Sequence, residues 1–119
     1  MRTTGPTNPK LKGLIIELNR LGRREKVGLW KRIAVDLGKP TRKRREINLS
    51  KLDKYVNENE IALVPGKVLS TGELSKKLKV AAFNFSEMAR EKINKTGKAL
   101  TIEQLMKENP KGKKVRIIG

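Results

Sequence analysis

The chain has 119 residues, and 29 Lys and Arg against 12 Asp and Glu give a formal net charge of +17, with no histidine and no cysteine. That composition excludes disulfides, thiolate nucleophiles, Cys-ligated zinc and imidazole acid–base or metal-ligand chemistry. A surplus of this size makes a folded chain repel itself and points to a polyanionic partner, nucleic acid first.

One domain is expected at this length. Its core must be aliphatic, because Trp30, Tyr55, Phe83 and Phe85 are the only large rings. Apolar runs such as residues 13–16 fall far short of the ~20 residues that span a bilayer. Residues 1–9 are polar and carry no apolar stretch of the kind that leads a secretory signal. The expectation is a soluble, intracellular protein with no membrane partner, no cofactor, no metal and no small-molecule substrate.

Charge is uneven along the chain. Residues 1–46 carry 14 Lys and Arg against 4 acids and hold eight of the ten arginines, whose planar forks grip phosphate better than lysine does. Residues 1–7 show no periodicity and are expected to order only on a partner. Asn8 then caps a helix beginning at Pro9, with Leu11, Leu14, Ile15, Leu18 and Leu21 at helical spacing and Gly22 as its stop. The other face shows Lys10, Lys12, Glu17 and Arg20, followed by Arg23 and Arg24. Such charges fit a solvated helix face as well as they fit phosphate contacts. A second helix from about Leu29 buries Trp30, Ile33, Ala34 and Leu37, displays Lys31 and Arg32, and ends at Gly38 before Pro40.

The next segment, residues 39–45, places Lys39, Arg42, Lys43, Arg44 and Arg45 in seven positions with no apolar residue among them. An exposed loop of this kind is repulsive unless an anion meets it, so phosphate contact is the favoured reading over a localisation signal or nonspecific attraction. Ser50-x-x-Asp53 reads as a capping box for a short helix with Leu52, Tyr55 and Val56 on its apolar face. Residues 57–60 form an acidic turn, and an ordinary turn explains the two carboxylates better than a metal or catalytic pair does. Ile61–Val64 predicts a strand broken by Pro65-Gly66 and resumed at Lys67. Gly66-Lys67 near Ser70-Thr71 is no nucleotide loop, because the first glycine is missing and Val68 follows the lysine. Lys67 stays a candidate phosphate ligand.

Lys79–Phe85 predicts a strand buried on both faces, with Phe83 and Phe85 in the core rather than stacked on bases. Ser86 caps a helix with Ala89 and Ile93 inward and Gly97 at its end. Thr101-x-x-Gln104 caps another carrying Ile102, Leu105 and Met106. Residues 110–114 make a basic turn containing Lys113 and Lys114 before a last strand over residues 115–118. The fold class is therefore α/β, an irregular layered mixed sheet with packed helices and a basic helical N-terminal region. The expected division is a flexible tail (1–7), a basic helical arm (8–46) and an α/β body (47–119).

Asn8-Pro-Lys-Leu11, Trp30, Ile47-Asn-Leu-Ser-Lys51, Val64-Pro-Gly-Lys-Val-Leu-Ser-Thr-Gly-Glu-Leu74, Val80-Ala-Ala82, Ser86 and Lys114-Val-Arg-Ile117 together resemble the eL-eighteen family of archaeal and eukaryotic large-subunit ribosomal proteins. The likeness runs nearly end to end, is most specific over residues 64–74, and is closer to archaeal members in length. It implies an irregular layered α/β unit, related to the bacterial fifteenth large-subunit protein, that binds large-subunit ribosomal RNA and neighbouring ribosomal proteins as a permanent part of the cytoplasmic ribosome, without catalysis.

Taken with the charge, the expected mechanism is a clamp: basic segments fasten separate RNA elements, and specificity comes from the shape of folded RNA and the placement of each cation. A free-standing regulatory nucleic-acid binder is the alternative. An RNA-modifying enzyme is disfavoured, since no nucleophile, base and cofactor loop can be assembled.

Overall fold

The computed structural model describes residues 9–38 and 45–118. The expected tail, the Asn8 cap and residues 39–44 of the basic loop lie outside them. The first helix, α1, spans Pro9–Glu25 and buries Leu11, Leu14, Leu18 and Leu21. It runs through Gly22 instead of stopping there. Gly22 is a packing residue: a Cβ at that position would stand 3.1 Å from Lys31 Cγ and 3.3 Å from the Val27 carbonyl. Lys26, at φ 57°, is what turns the chain out of the helix. Helix α2, Gly28–Leu37, buries Trp30, Ile33, Ala34 and Leu37, and the Gly38 N–H closes it on the Ala34 and Val35 carbonyls at 3.0 and 3.1 Å.

Strand β1, Arg45–Asn48, includes the last residue of the expected loop, and α3, Leu49–Tyr55, follows at once. The capping box expected at Ser50 does not form. The helix starts one residue before Ser50, and the Asp53 carboxylate instead accepts from the Ser75 backbone N–H at 2.8 Å and the Ser75 hydroxyl at 2.9 and 3.0 Å. Leu49, Leu52 and Val56 are buried, whereas Tyr55, expected inward, is 48% exposed with Lys54 Nζ 5.3 Å from its ring centroid.

Strand β2 is Ile61–Leu69, β3 is Lys79–Phe85, α4 is Glu87–Thr96, β4 is Lys98–Thr101, α5 is Ile102–Glu108 and β5 is Val115–Ile117. The caps at Ser86 and Thr101 are present as expected, at 3.1 and 3.0 Å, and the Gln104 side chain completes the second one. Strand β4 has no counterpart in the sequence reading, because four residues between a helix end and a helix cap leave too short a run to show alternation.

The α/β class holds, with the strands in the order β1-β2-β3-β4 and β5 joined to β2. A mixed sheet was expected; every pairing among the described strands is parallel. Helices α3 and α4 carry the chain back across the sheet between neighbouring strands, the connection that parallel pairing requires. Strands β5 and β1 share one edge of β2, at Ile61–Leu63 and Gly66–Leu69 respectively. Pro65 falls between them, and the β2–β3 register shifts between Val64 and Lys67. The residue without an N–H therefore sits where no ladder needs one, so the Pro-Gly pair interrupts pairing and leaves the strand continuous.

Alternation along β2 and β3 divides the core in two. Ala62, Val64, Val80 and Ala82 face α3 and α4, while Leu63 and Ala81 face α1, α2 and α5. Both faces of the sheet are buried, and Phe85 is core, as its pattern predicted.

Candidate nucleic-acid interface

Among the residues whose side chains are described, none that is charged or polar is buried. Desolvating a charge is expensive, and the aliphatic core takes in none of the described cations, though Lys76 and Lys92 are partly covered and bonded to backbone carbonyls. The leucine ladder of α1 fixes where its charges go. Positions 12, 16, 20 and 23 recur on the side opposite the ladder, so Lys12, Arg20 and Arg23 form a stripe about 16 Å long at 1.5 Å rise per residue. All three are exposed. Arg20 pairs with Glu17 at 3.4 Å, an open contact that a phosphate can displace. Lys31 and Arg32 are exposed on α2, opposite its buried stripe, with the Lys31 stem crossing the bare Gly22 backbone.

Residues far apart in sequence meet at the corner between α1 and α2. The Glu25 carboxylate takes Arg24 Nε at 3.4 Å on one oxygen and Lys111 Nζ at 3.5 Å on the other. Trp30 Nε1 donates to the Pro110 carbonyl at 2.7 Å. The turn leading to Lys113 and Lys114 is thereby docked beside the arginines of the first helix. Asn109 holds that turn from within, its amide donating to the Lys113 carbonyl at 2.8 Å and its oxygen accepting from the Lys113 N–H at 3.1 Å. Lys114 is held at φ 59°, a left-handed conformation that costs an L-residue about 1–2 kcal/mol.

Lys113 and Lys114 also line a cleft of about 450 Å³ together with Lys77, Lys79 and Lys98, which sequence reasoning did not single out. Lys77 and Lys79 belong to the short run Lys76-Lys77-Leu78-Lys79 and Lys98 lies 19 residues on, so only the pairing of β3 with β4 brings them together. Lys67, half-buried in β2, lies across from Glu46 on β1 and Asn84 on β3, beside a carboxylate and away from the cleft. Gly66-Lys67 is part of the strand, not a loop. The following turn is stapled by Lys92, whose Nζ donates to the Ser70 and Gly72 carbonyls at 3.1 and 3.2 Å. Lys39, Arg42, Lys43 and Arg44 lie outside the described residues. Lys10 sits in the first turn of α1 and Arg45 opens β1.

The acidic turn is closed by its own groups. The Asn57 N–H donates to Glu60 at 3.0 Å, and this bond first, then Arg116 at 3.4 Å, holds the Glu60 carboxyl below its ordinary range. Among the described residues no group of acidic side chains is placed to hold a metal, and no helix is long and apolar enough to cross a membrane.

Residues 2–119 match the family described as ribosomal protein 60S L18 and 50S L18e. The chain is 46% identical over 118 residues to the large ribosomal subunit protein eL18 of Methanoregula boonei, covering 98% of each chain. It is 45% identical over 119 residues to that of Methanococcus maripaludis, covering 99% of each, and 42% identical over 112 residues to that of Haloarcula marismortui, covering 94% of this chain and 97% of the relative. With a match of this extent, laid over an α/β body whose core takes in no described charge, the chain belongs to the L18/L18e family of ribosomal proteins.

Proposed function

We propose that the protein is a structural constituent of the large ribosomal subunit, in the cytoplasm, and that it holds folded large-subunit rRNA through Lys and Arg contacts to phosphate. The observation that carries this reading is the end-to-end match to relatives named as large-subunit proteins. The +17 charge on a chain with no buried described charge supplies the chemistry. In this reading the α1 stripe of Lys12, Arg20 and Arg23, with Lys31 and Arg32 on α2, addresses one RNA element. Arg24 and the turn bearing Lys113 and Lys114 address another, and the α/β body fixes their separation. Lys10, Lys39, Arg42, Lys43, Arg44 and Arg45 extend the contact from the basic arm, residues 1–7 order on RNA, and Lys67 makes a lesser contact beside Glu46. Neighbouring ribosomal proteins are further partners, and the role requires no catalysis.

Sucrose-gradient fractionation of source-cell lysate after a high-salt wash tests the assignment. Retention in the large-subunit peak is expected. Release to the top of the gradient would favour a free-standing regulatory binder. With about six phosphate contacts, affinity for large-subunit rRNA should fall by roughly three orders of magnitude between 50 and 200 mM salt, and a flat titration would refute the clamp.

A further inference from the structure

We propose that the cleft at the leading edge of the sheet, lined by Lys77, Lys79, Lys98, Lys113 and Lys114, is a seat for a run of RNA phosphates, continuing from the Lys113–Lys114 turn onto the sheet and separate from the α1 stripe of Lys12, Arg20 and Arg23. The inference rests on the reading of the protein as an rRNA-binding constituent and names a surface for it. The parallel register places Lys79 directly beside Lys98, and Ile61 beside both Lys79 and Val115. The heads of β5, β2, β3 and β4 thus stand in one row, with strands about 4.8 Å apart. Like charges on neighbouring strands destabilise a sheet unless an anion lies between them.

The protein supplies little of that anion itself. Of the two carboxylates lining the cleft, Glu60 is engaged by Arg116 at 3.4 Å and by the Asn57 N–H, which leaves Glu58 against five lysines. Lys98 reaches Glu108 only at 3.9 Å, and none of Lys77, Lys79, Lys113 and Lys114 has an ion-pair partner among the described residues. The frame around them is rigid. The Lys98 N–H donates to the Leu78 carbonyl at 3.0 Å, the Ile61 N–H donates to the Lys114 carbonyl at 2.8 Å, and a Cβ on Gly97 would fall 2.0 Å from the Leu78 oxygen. Backbone bonds therefore fix the roots of the lysines while their ammonium groups stay free to follow a phosphate backbone. A lining whose only cations are lysines and which holds no ring, with the neighbouring Arg116 turned to Glu60, offers point charges and no base-reading fork, which suits phosphate contact without sequence preference.

The test is binding of in vitro transcribed archaeal large-subunit rRNA at several salt concentrations by the full chain and by the Lys79→Gln/Lys98→Gln/Lys114→Gln variant. The slope of log affinity against log salt should be shallower in the variant by about two to three, roughly one per lost phosphate contact, with thermal stability equal to or above that of the parent. An unchanged slope overturns the proposal. Should the variant fail to fold, lysine acetylation rates in the parent decide: slowing at the five cleft lysines on addition of rRNA supports the site, and unchanged rates overturn it. Protection in intact subunits but not by naked rRNA would assign the cleft to an acidic protein neighbour and overturn the RNA assignment. If the parent itself shows no salt-dependent binding to rRNA, the underlying reading fails and the cleft fails with it.

Discussion

At Gly97 a single hydrogen in place of a methyl group lets the end of α4 rest on the Leu78 backbone. The Cβ of an alanine would stand 2.0 Å from the Leu78 oxygen, and backbone atoms cannot yield as a flexible side chain would. Gly97→Ala should therefore cost about 2–4 kcal/mol, the range for overpacking combined with backbone displacement, read as a lower midpoint in denaturant unfolding. Asp53 is a second residue whose role depends on a distant partner. The Ser75 backbone N–H, more than any other group, holds its carboxyl below the ordinary value of 3.8, with the Ser75 hydroxyl and Lys76 adding to the effect. A depressed folded-state pKa means that folding favours the carboxylate. The resulting stability is complete above the unfolded value and is lost as pH falls through the folded one. Asp53→Asn should thus be less stable than the parent at pH 6, with the gap closing as pH drops below 3.8. A gap that stays constant down to pH 2 would contradict the ionic origin of the contact.

Caps show how elements keep or lose what their residues promise. Thr101 and Gln104 form a complete reciprocal box, so Thr101→Ala should cost about 1 kcal/mol in unfolding free energy. Ser50 looks equivalent in sequence but sits inside α3 with no side-chain cap bond, and Ser50→Ala should change stability by less than about 0.5 kcal/mol. Equal losses in the two variants would mean that the register of α3 is different from that described. Two chain-breaking signals, unlike Gly38 and Gly97, changed meaning in context. Gly22 lies inside α1 because α2 must pass close to it, and Pro65 lies inside β2 because β5 ends and β1 begins on either side of it.

For the whole molecule, charge is the governing quantity. A +17 surface repels itself, and salt relieves this by shortening the screening length from about 30 Å at 10 mM to about 3 Å at 1 M. The melting temperature of the isolated protein should rise by roughly 5 °C across that range, equivalent to about 1 kcal/mol, as differential scanning fluorimetry can measure. A fall with added salt would mean that ion pairs such as Arg116–Glu60 outweigh the repulsion.

Whatever depends on neighbours within a few residues was legible in the chain alone: the leucine ladder of α1, the buried stripe of α2, the caps at Ser86 and Thr101, the two-faced burial of β3, and the large positive surplus. Helical periodicity and the caps at Ser86 and Thr101 rest on bonds within one turn, so they form as read, whereas the box expected at Ser50 lost its carboxylate to Ser75, 22 residues on from Asp53. The parallel pairing, the short strands β1 and β4, and the joining of Arg24 to Lys111 through Glu25 came only from the tertiary structure. So did the gathering of Lys77, Lys79 and Lys98 with Lys113 and Lys114. A strand of four residues carries too little pattern to be read alone, and register decides which lysines of separate segments become neighbours; both are set by hydrogen bonds between segments about twenty or more residues apart.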